Sequence, residues 1–126
     1  MKIIEEFNTR SDFLNYLKDA SKQDSCIKGT IVKFKADWCG PCKEIKDHVD
    51  ILFDELPEFI QGCNLDIDNN FDLYANMKRL KQLTGIPTIM YFNKDNTSYI
   101  PDVIAEGTDI CKINKLFAVA IKNCDK

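Results

Sequence analysis

A central mixed β-sheet flanked by helices on both faces, an α/β fold, is what three features of this sequence predict. Apolar-rich runs at residues 30–36, 59–66 and 88–92 have the length of strands and are too short for buried helices. Between them lie segments whose apolar residues recur at helical spacing, so strands and helices alternate. The last of these strands runs into the turn signal Asn93, Lys94, Asp95 and Asn96, then a further strand-like run and a closing helical segment. Alternation followed by a hairpin and a covering helix places parallel and antiparallel strands in one sheet.

In chain order, residues 3–7 are a short strand candidate, and Ser11 reads as the N-cap of a first helix that buries Phe13, Leu14 and Leu17. Residues 23–29 form a polar loop before the central strand at 30–36. Gly40 or Pro41 opens the second helix, with Ile45, Val49, Leu52 and Phe53 on one face, and Pro57 prevents its continuation. After the strand at 59–66, Asn69 or Asn70 caps a third helix expected to run through Leu83, with Thr84 and Gly85 ending it. Residues 97–104 are the expected antiparallel edge partner of 88–92, where Pro101 is tolerated because an outer strand leaves donors unpaired. Thr108 is the expected cap of a last helix with Ile110, Ile113, Phe117 and Ile121 on its apolar face. The predicted order is βαβαβαββα.

A length of 126 residues suits one compact domain over 1–126, able to bury about two thirds of its unfolded surface. Apolar residues at 44% and charged ones at 29% give a globular balance rather than a disordered one. A net charge of −3, with no basic stripe interleaved with aromatics, excludes a nucleic-acid binder and points to protein partners. No stretch approaches about 18 uncharged apolar residues, so no membrane span is expected. Glu5 and Glu6 interrupt the early apolar residues where an export signal needs continuity, so a soluble cytoplasmic protein is expected. In that setting the six cysteines read as mostly reduced thiols rather than as a disulfide framework.

The chemistry is concentrated at Trp38, Cys39, Gly40, Pro41 and Cys42, where a strand turns into a helix. The first turn of a helix carries unpaired N–H groups and the positive end of the macrodipole, which stabilise a thiolate and make Cys39 the expected nucleophile. Two intervening residues bring the second sulfur within bonding reach after one turn, so the pair can close and reopen a disulfide. Gly40 lets the turn form, and Pro41 stiffens the helix start at a position whose N–H would lack a partner. Trp38 offers a flat wall for a bound peptide beside the nucleophile. A structural zinc site would need a second cysteine pair or a histidine pair, whereas Cys26, Cys63, Cys111 and Cys124 stand singly and His48 is the one histidine. A haem attachment would need histidine where Lys43 stands.

Trp38-Cys39-Gly40-Pro41-Cys42-Lys43 resembles the active-site segment of the thioredoxin family, whose Gly-Pro pair separates it from many disulfide isomerases and glutaredoxins. Gly85-Ile86-Pro87-Thr88 with the apolar run after it is similar to that family's cis-proline segment. Gly107 matches the glycine lining its substrate groove, and Leu65-Asp66-Ile67-Asp68 resembles its third strand and exit. The resemblance covers most of residues 25–124. It implies the thioredoxin fold and reduction of protein disulfides, with thioredoxin reductase as electron donor, no cofactor and no metal, and a monomer. Cys39 would form a mixed disulfide that Cys42 resolves. Pro41 would tune the pair toward reduction. A cis Ile86-Pro87 bond would face the sulfurs, keep metal out and leave the Ile86 backbone to pair with an extended substrate, while Gly85 and Gly107 complete a shallow groove.

The remaining polar and sulfur residues carry blander expectations. His48 reads as a partly exposed helix residue, Cys63 as a small buried hydrophobe, and Tyr74 and Met77 as packing. Cys26, Cys111 and Cys124 are open to oxidation without being forced to it.

Lys33 stands where the family typically has a buried aspartate, Lys35 where it has an aromatic, and Asn64 where it has that aspartate's lysine partner. Lys33 and Lys35 share a strand face, so that face is wetter than usual or the lysine stems snorkel outward. A cation there would lower both cysteine pKa values and make the disulfide more oxidising, which makes Lys33 a redox-tuning residue. Asp47 replaces a helix proline and leaves the second helix straighter, and the third helix is expected to be longer than usual. These departures keep two other readings open: a specialised thiol oxidase or isomerase with one dedicated partner, and a non-catalytic thioredoxin-like binding module.

Overall fold

The structure, a computed structural model, describes residues 2–124. Its elements are α1 (Arg10–Ala20), β1 (Gly29–Lys35), α2 (Gly40–Asp54), β2 (Ile60–Asp66), α3 (Phe71–Arg79), β3 (Thr88–Asn93), β4 (Val103–Glu106) and α4 (Ile110–Cys124). The strands lie in the order β2-β1-β3-β4, with β1 parallel to β2 and antiparallel to β3, and β3 antiparallel to β4. Among the described residues no helix is long and apolar enough to cross a membrane.

Strand alternation divides the interior into two layers. Val32, Phe34, Cys63, Leu65, Met90 and Phe92 face Phe13 and Leu17 of α1 and Leu73 and Met77 of α3. Ile31, Ile60, Ile89 and Tyr91 face the other way, against Ile45, Val49 and Phe53 of α2 and Ile113 and Phe117 of α4. Each fully buried side chain of this size contributes about 1.5–3 kcal/mol. Gly62 is required where the sheet meets α2, because a Cβ there would lie 2.7 Å from the Phe53 ring and 2.8 Å from Ile3.

Residues 3–7 do not form the expected strand. Ile4 makes a single parallel bridge to Cys63, and the next backbone groups turn to Asn70 instead. The Phe7 N–H donates to Asn70 Oδ1 (2.7 Å), and Asn70 Nδ2 donates to the carbonyls of Glu5 (3.2 Å) and Asp66 (2.9 Å). A buried amide thus replaces a ladder, and Asn70, the N-cap of α3, has no side-chain bond left for that helix.

Other boundaries move for similarly identifiable reasons. Thr9, not Ser11, caps α1, its side chain accepting from the Asp12 N–H at 3.1 Å. Asp109, not Thr108, accepts the Lys112 N–H at the start of α4. The third helix stops at Arg79 instead of Leu83 and is only 9 residues long. Lys81 adopts φ 60°, and the N–H groups of Lys81 and Gln82 donate back to Lys78 and Met77, which satisfies the last carbonyls of the helix. The edge strand is Val103–Glu106, not 97–104, and Pro101 lies in the preceding loop. There the Asp102 carboxylate accepts from the Asn93 N–H (2.7 Å) and Asn96 Nδ2 (2.9 Å), so side chains rather than strand pairing fix the loop. At the same end of the sheet, Lys94 Nζ donates to the carbonyls of Ala20, Lys22 and Ile27, each at 3.0 Å, and of Ser25 at 3.5 Å.

Arg10 ties α1 to α3 by donating from its backbone N–H and its guanidinium to Asp72, with a closest contact of 2.7 Å. These hydrogen bonds hold the Asp72 carboxyl down at about 2. Because an unfolded aspartate titrates near about 3.9, the unfolded chain binds this proton more readily. The stabilisation is present above about pH 4 and lost as pH falls through about 2. Acid unfolding monitored by circular dichroism should therefore show a shallower pH dependence across that window in Asp72→Asn than in the wild type.

Candidate active site

β1 emerges from the interior at Lys35, and a short connection through Ala36, Asp37 and Trp38 leads into α2. Cys39 is the N-cap of α2, in extended conformation, with Pro41 in the first turn. Its sulfur accepts the Cys42 N–H at 3.2 Å, so the Cys39 sulfur sits on an orphan donor at the positive end of the helix. Cys39 and Cys42 form a disulfide, with Cα atoms 5.3 Å apart. Both are nearly buried, at 5% and 4% exposure, while Gly40 and Pro41 between them are exposed.

The second part of the site comes from the segment before β3. The Ile86-Pro87 peptide bond is cis, and the Ile86 carbonyl oxygen lies 4.0 Å from Cys39 Sγ. Thr88 Oγ1 donates to the Gly85 carbonyl (2.7 Å), and the Gly107 N–H donates to the Pro87 carbonyl (2.9 Å). Gly107 has φ +83°, a left-handed conformation that suits glycine. Gly85, Ile86, Pro87, Glu106 and Gly107 line one pocket of about 260 Å³. Gly85, Ile86, Pro87 and Gly107, singled out for a groove though far apart in sequence, thus line one pocket, and Ile86 brings it up to Cys39.

Trp38 projects into solvent at 66% exposure, and its Nε1 donates to Asp68 Oδ2 at 3.0 Å. Asp68 was expected only as part of a strand exit. What the sequence offers as a signal is its place two residues after the end of β2, at the same end of the sheet as the end of β1.

Lys33 and Lys35 differ in fate. Lys35 reaches outward to Asp37 (2.9 Å) and Asp66 (3.6 Å), and the hydrogen bond to Asp37 raises its pKa. Lys33 does not snorkel to bulk solvent: it is 2% exposed and lines a pocket of about 250 Å³ beneath α2 together with Cys42, Asp50 and Asn64. Burial pulls its pKa below the ordinary lysine range, against the opposing attraction of Asp50. Asn64, its neighbour across the parallel register, has a buried Oδ1 without a hydrogen-bond partner. Asp50 was not singled out from the sequence, although Cys42, Lys46 and Asp50 recur every four residues along α2.

Elsewhere, His48 is half-buried and bonded to Asn114 of α4 (2.7 Å). Tyr74, Met77 and Cys63 are buried, and burial raises the Cys63 thiol far above its usual range. Cys124, expected to be open to oxidation, is buried at 3% exposure with its sulfur on the Lys28 carbonyl (3.2 Å), whereas Cys26 and Cys111 are exposed. No cluster of potential metal ligands occurs among the described residues.

The family model described as Thioredoxin matches residues 6–115. A thioredoxin from Thiocapsa roseopersicina is 36% identical over 83 residues, covering 64% of this chain and 87% of that protein. One from Acidithiobacillus ferridurans is 32% identical over 85 residues, covering 65% and 75%. Among solved structures, Fasciola hepatica thioredoxin superposes with a TM-score of 0.70 at 21% identity, over 93% of this chain and 99% of that one, a likeness of fold.

The single tryptophan makes the Asp68 contact measurable. In Asp68→Ala, time-resolved fluorescence anisotropy should report faster local motion of Trp38, while unfolding stability changes by no more than about 0.5 kcal/mol, as usual for an exposed substitution.

Proposed function

Because the chain belongs to the thioredoxin family and is a thiol-disulfide oxidoreductase with its redox pair at Cys39 and Cys42, we propose that it works in the reducing direction on disulfides of other proteins. The observation that carries the attack on a substrate disulfide is the Cys39 sulfur seated on the Cys42 N–H at the start of α2, and the similarity to thioredoxins supports the reducing direction. A thiolate there is stabilised by the helix terminus and remains a competent nucleophile. It attacks a substrate sulfur, the substrate disulfide breaks, and a mixed disulfide forms on Cys39. Cys42 then attacks Cys39 Sγ and releases the reduced substrate.

The substrate segment lies in extended form against Trp38, Gly40 and Pro41 on one side and Gly85, Ile86, Pro87 and Gly107 on the other. Pro41 and Lys33 tune the couple, the first by stiffening the turn and the second from the pocket it shares with Cys42. The reductant in this reading is a thioredoxin reductase, and the protein acts in the cytoplasm as a monomeric single domain over 1–126, in a chain of electron transport that maintains redox balance. The similarity to bacterial thioredoxins supports these assignments. No cofactor, nucleic acid or membrane takes part.

A second reading, a specialised oxidase or isomerase with one dedicated partner, is favoured by the buried Lys33, since a cation near Cys42 stabilises thiolate and makes a disulfide more oxidising. The reduction potential of the Cys39 and Cys42 couple separates the two. Insulin reduction driven by thioredoxin reductase tests the first directly: turnover supports it, and a folded, fully reducible protein without turnover rejects it. In that assay Cys39→Ser should fall to background. Cys42→Ser should also lose turnover yet accumulate covalent mixed disulfides, visible on non-reducing gels; equal absence of trapping in both variants would refute the assigned order.

A further inference from the structure

Resolution of the mixed disulfide needs a destination for one proton. Cys42 must lose its thiol hydrogen before its sulfur attacks Cys39, yet at 4% exposure it has little access to bulk water. The space beside it is the pocket of about 250 Å³ under α2. The charged groups facing that space are Lys33 and Lys35 from β1, Asp37 from the connection, and Lys43, Lys46 and Asp50 from α2; β2 contributes the neutral Asn64. Lys35 is turned away to Asp37 and Asp66, and Lys46 is paired with Asp50 at 2.8 Å. Lys33 makes no ion pair of this kind among the described residues. A nearly buried amine and the buried resolving cysteine therefore share one pocket, with a half-exposed carboxylate, Asp50, on its wall.

A lysine so placed is poorly solvated as an ammonium. Burial lowers its pKa most, Asp50 opposes that effect, and Lys35 and Lys46 add to it. Unlike arginine, lysine can lose its charge under such conditions and so can take up a proton.

The geometry points to Lys33 as the group that takes the Cys42 proton during resolution, with Asp50 stabilising the ammonium and marking the proton's way to solvent. This inference rests on the oxidoreductase reading and deepens it. The step balances: Cys42 thiol and Lys33 amine become thiolate and ammonium, and the thiolate forms the Cys39–Cys42 bond as the Cys39–substrate bond breaks. The electron pair leaves on the substrate sulfur, so the substrate is reduced and the cysteine pair oxidised. The ammonium then returns its proton to water at the pocket, and the departing thiolate is protonated by solvent. The unbonded Oδ1 of Asn64, across the register from Lys33, provides an acceptor on the same side of the pocket for the ammonium while it lasts.

The test is a set of titrations on the reduced full chain, following Cys42 and Lys33 by their side-chain carbon NMR shifts. Lys33→Met should raise the Cys42 midpoint by about one pH unit, and Cys42→Ser should lower the Lys33 midpoint by a matching amount, because coupling between two titrating sites is reciprocal. Asp50→Asn, a change on a half-exposed helix face, should lower the Lys33 midpoint as well. At neutral pH, resolution of a preformed mixed disulfide should slow about tenfold in Lys33→Met, the loss that follows from a thiolate tenfold scarcer. A Cys42 midpoint unchanged by Lys33→Met, or a Lys33 midpoint indifferent to Cys42→Ser, overturns the proposal. If Lys33→Met does not fold, the titration of Lys33 in Cys42→Ser decides it alone. Insulin reduction by the wild type is a separate result, so failure of the underlying reading is distinguishable from failure of this one.

Discussion

β1 is hydrogen-bonded along both edges, to β2 and to β3, and its residues from Gly29 to Phe34 are all buried. A strand enclosed in this way can bring the chain to the surface only at its end. There the backbone passes within a few residues into α2, and the redox pair occupies the junction between an interior strand and the positive end of a helix. The other half of the site follows from the same enclosure. β3 must pair with β1 in antiparallel sense, so the residues that precede β3 arrive beside the residues that follow β1, and Ile86 meets Cys39. An ionisable side chain in such a strand has no route to water along the sheet, which is why Lys33 depends on a gap left under α2.

Sequence pattern was informative where burial on one face repeats locally. The apolar period of α2, the runs that became β1, β2 and β3, and the cysteine pair at a strand-to-helix junction are all local signals, and the structure has them where they were expected. The misplaced elements share a different cause. Residues 3–7, the loop before β4 and the end of α3 are decided by Asn70, by Asp102 with Asn96, and by Lys81 in a left-handed conformation. In the first of these a side chain takes up backbone groups 63 and 65 residues away, which no window on the sequence can contain. The site divides in the same way. Spacing at a strand-to-helix junction located Cys39 and Cys42, and Lys33 stood out as a departure from the family pattern, a lysine where a buried aspartate is typical. Where that charge goes depends on how closely α2 packs over β1, and so the pocket and Asp50 became visible only in three dimensions.

Burial also segregates the sulfur chemistry. Cys63 lies wholly inside the layer under α1 and α3, and Cys124, the last residue of α4, is buried against the start of β1, with burial raising the pKa of both thiols. Cys26 and Cys111 are exposed. Among the cysteines, the pair at the start of α2 is the one in which a sulfur combines restricted access with a backbone donor, so stabilisation of a thiolate there does not depend on surrounding solvent.

The end of the sheet opposite the disulfide is fastened by other means. Lys94 occupies a ring of carbonyls from residues 20–27 much as a bound alkali cation would, joining the loop after α1 to the hairpin between β3 and β4 through charge and dipole alone. None of those contacts involves sulfur, and all of them lie at the far end of the sheet from the cysteine pair. A label, tag or fused sequence placed in the hairpin loop would thus ride on a part of the molecule held by polar contacts of its own, a sheet's length from the cysteine pair.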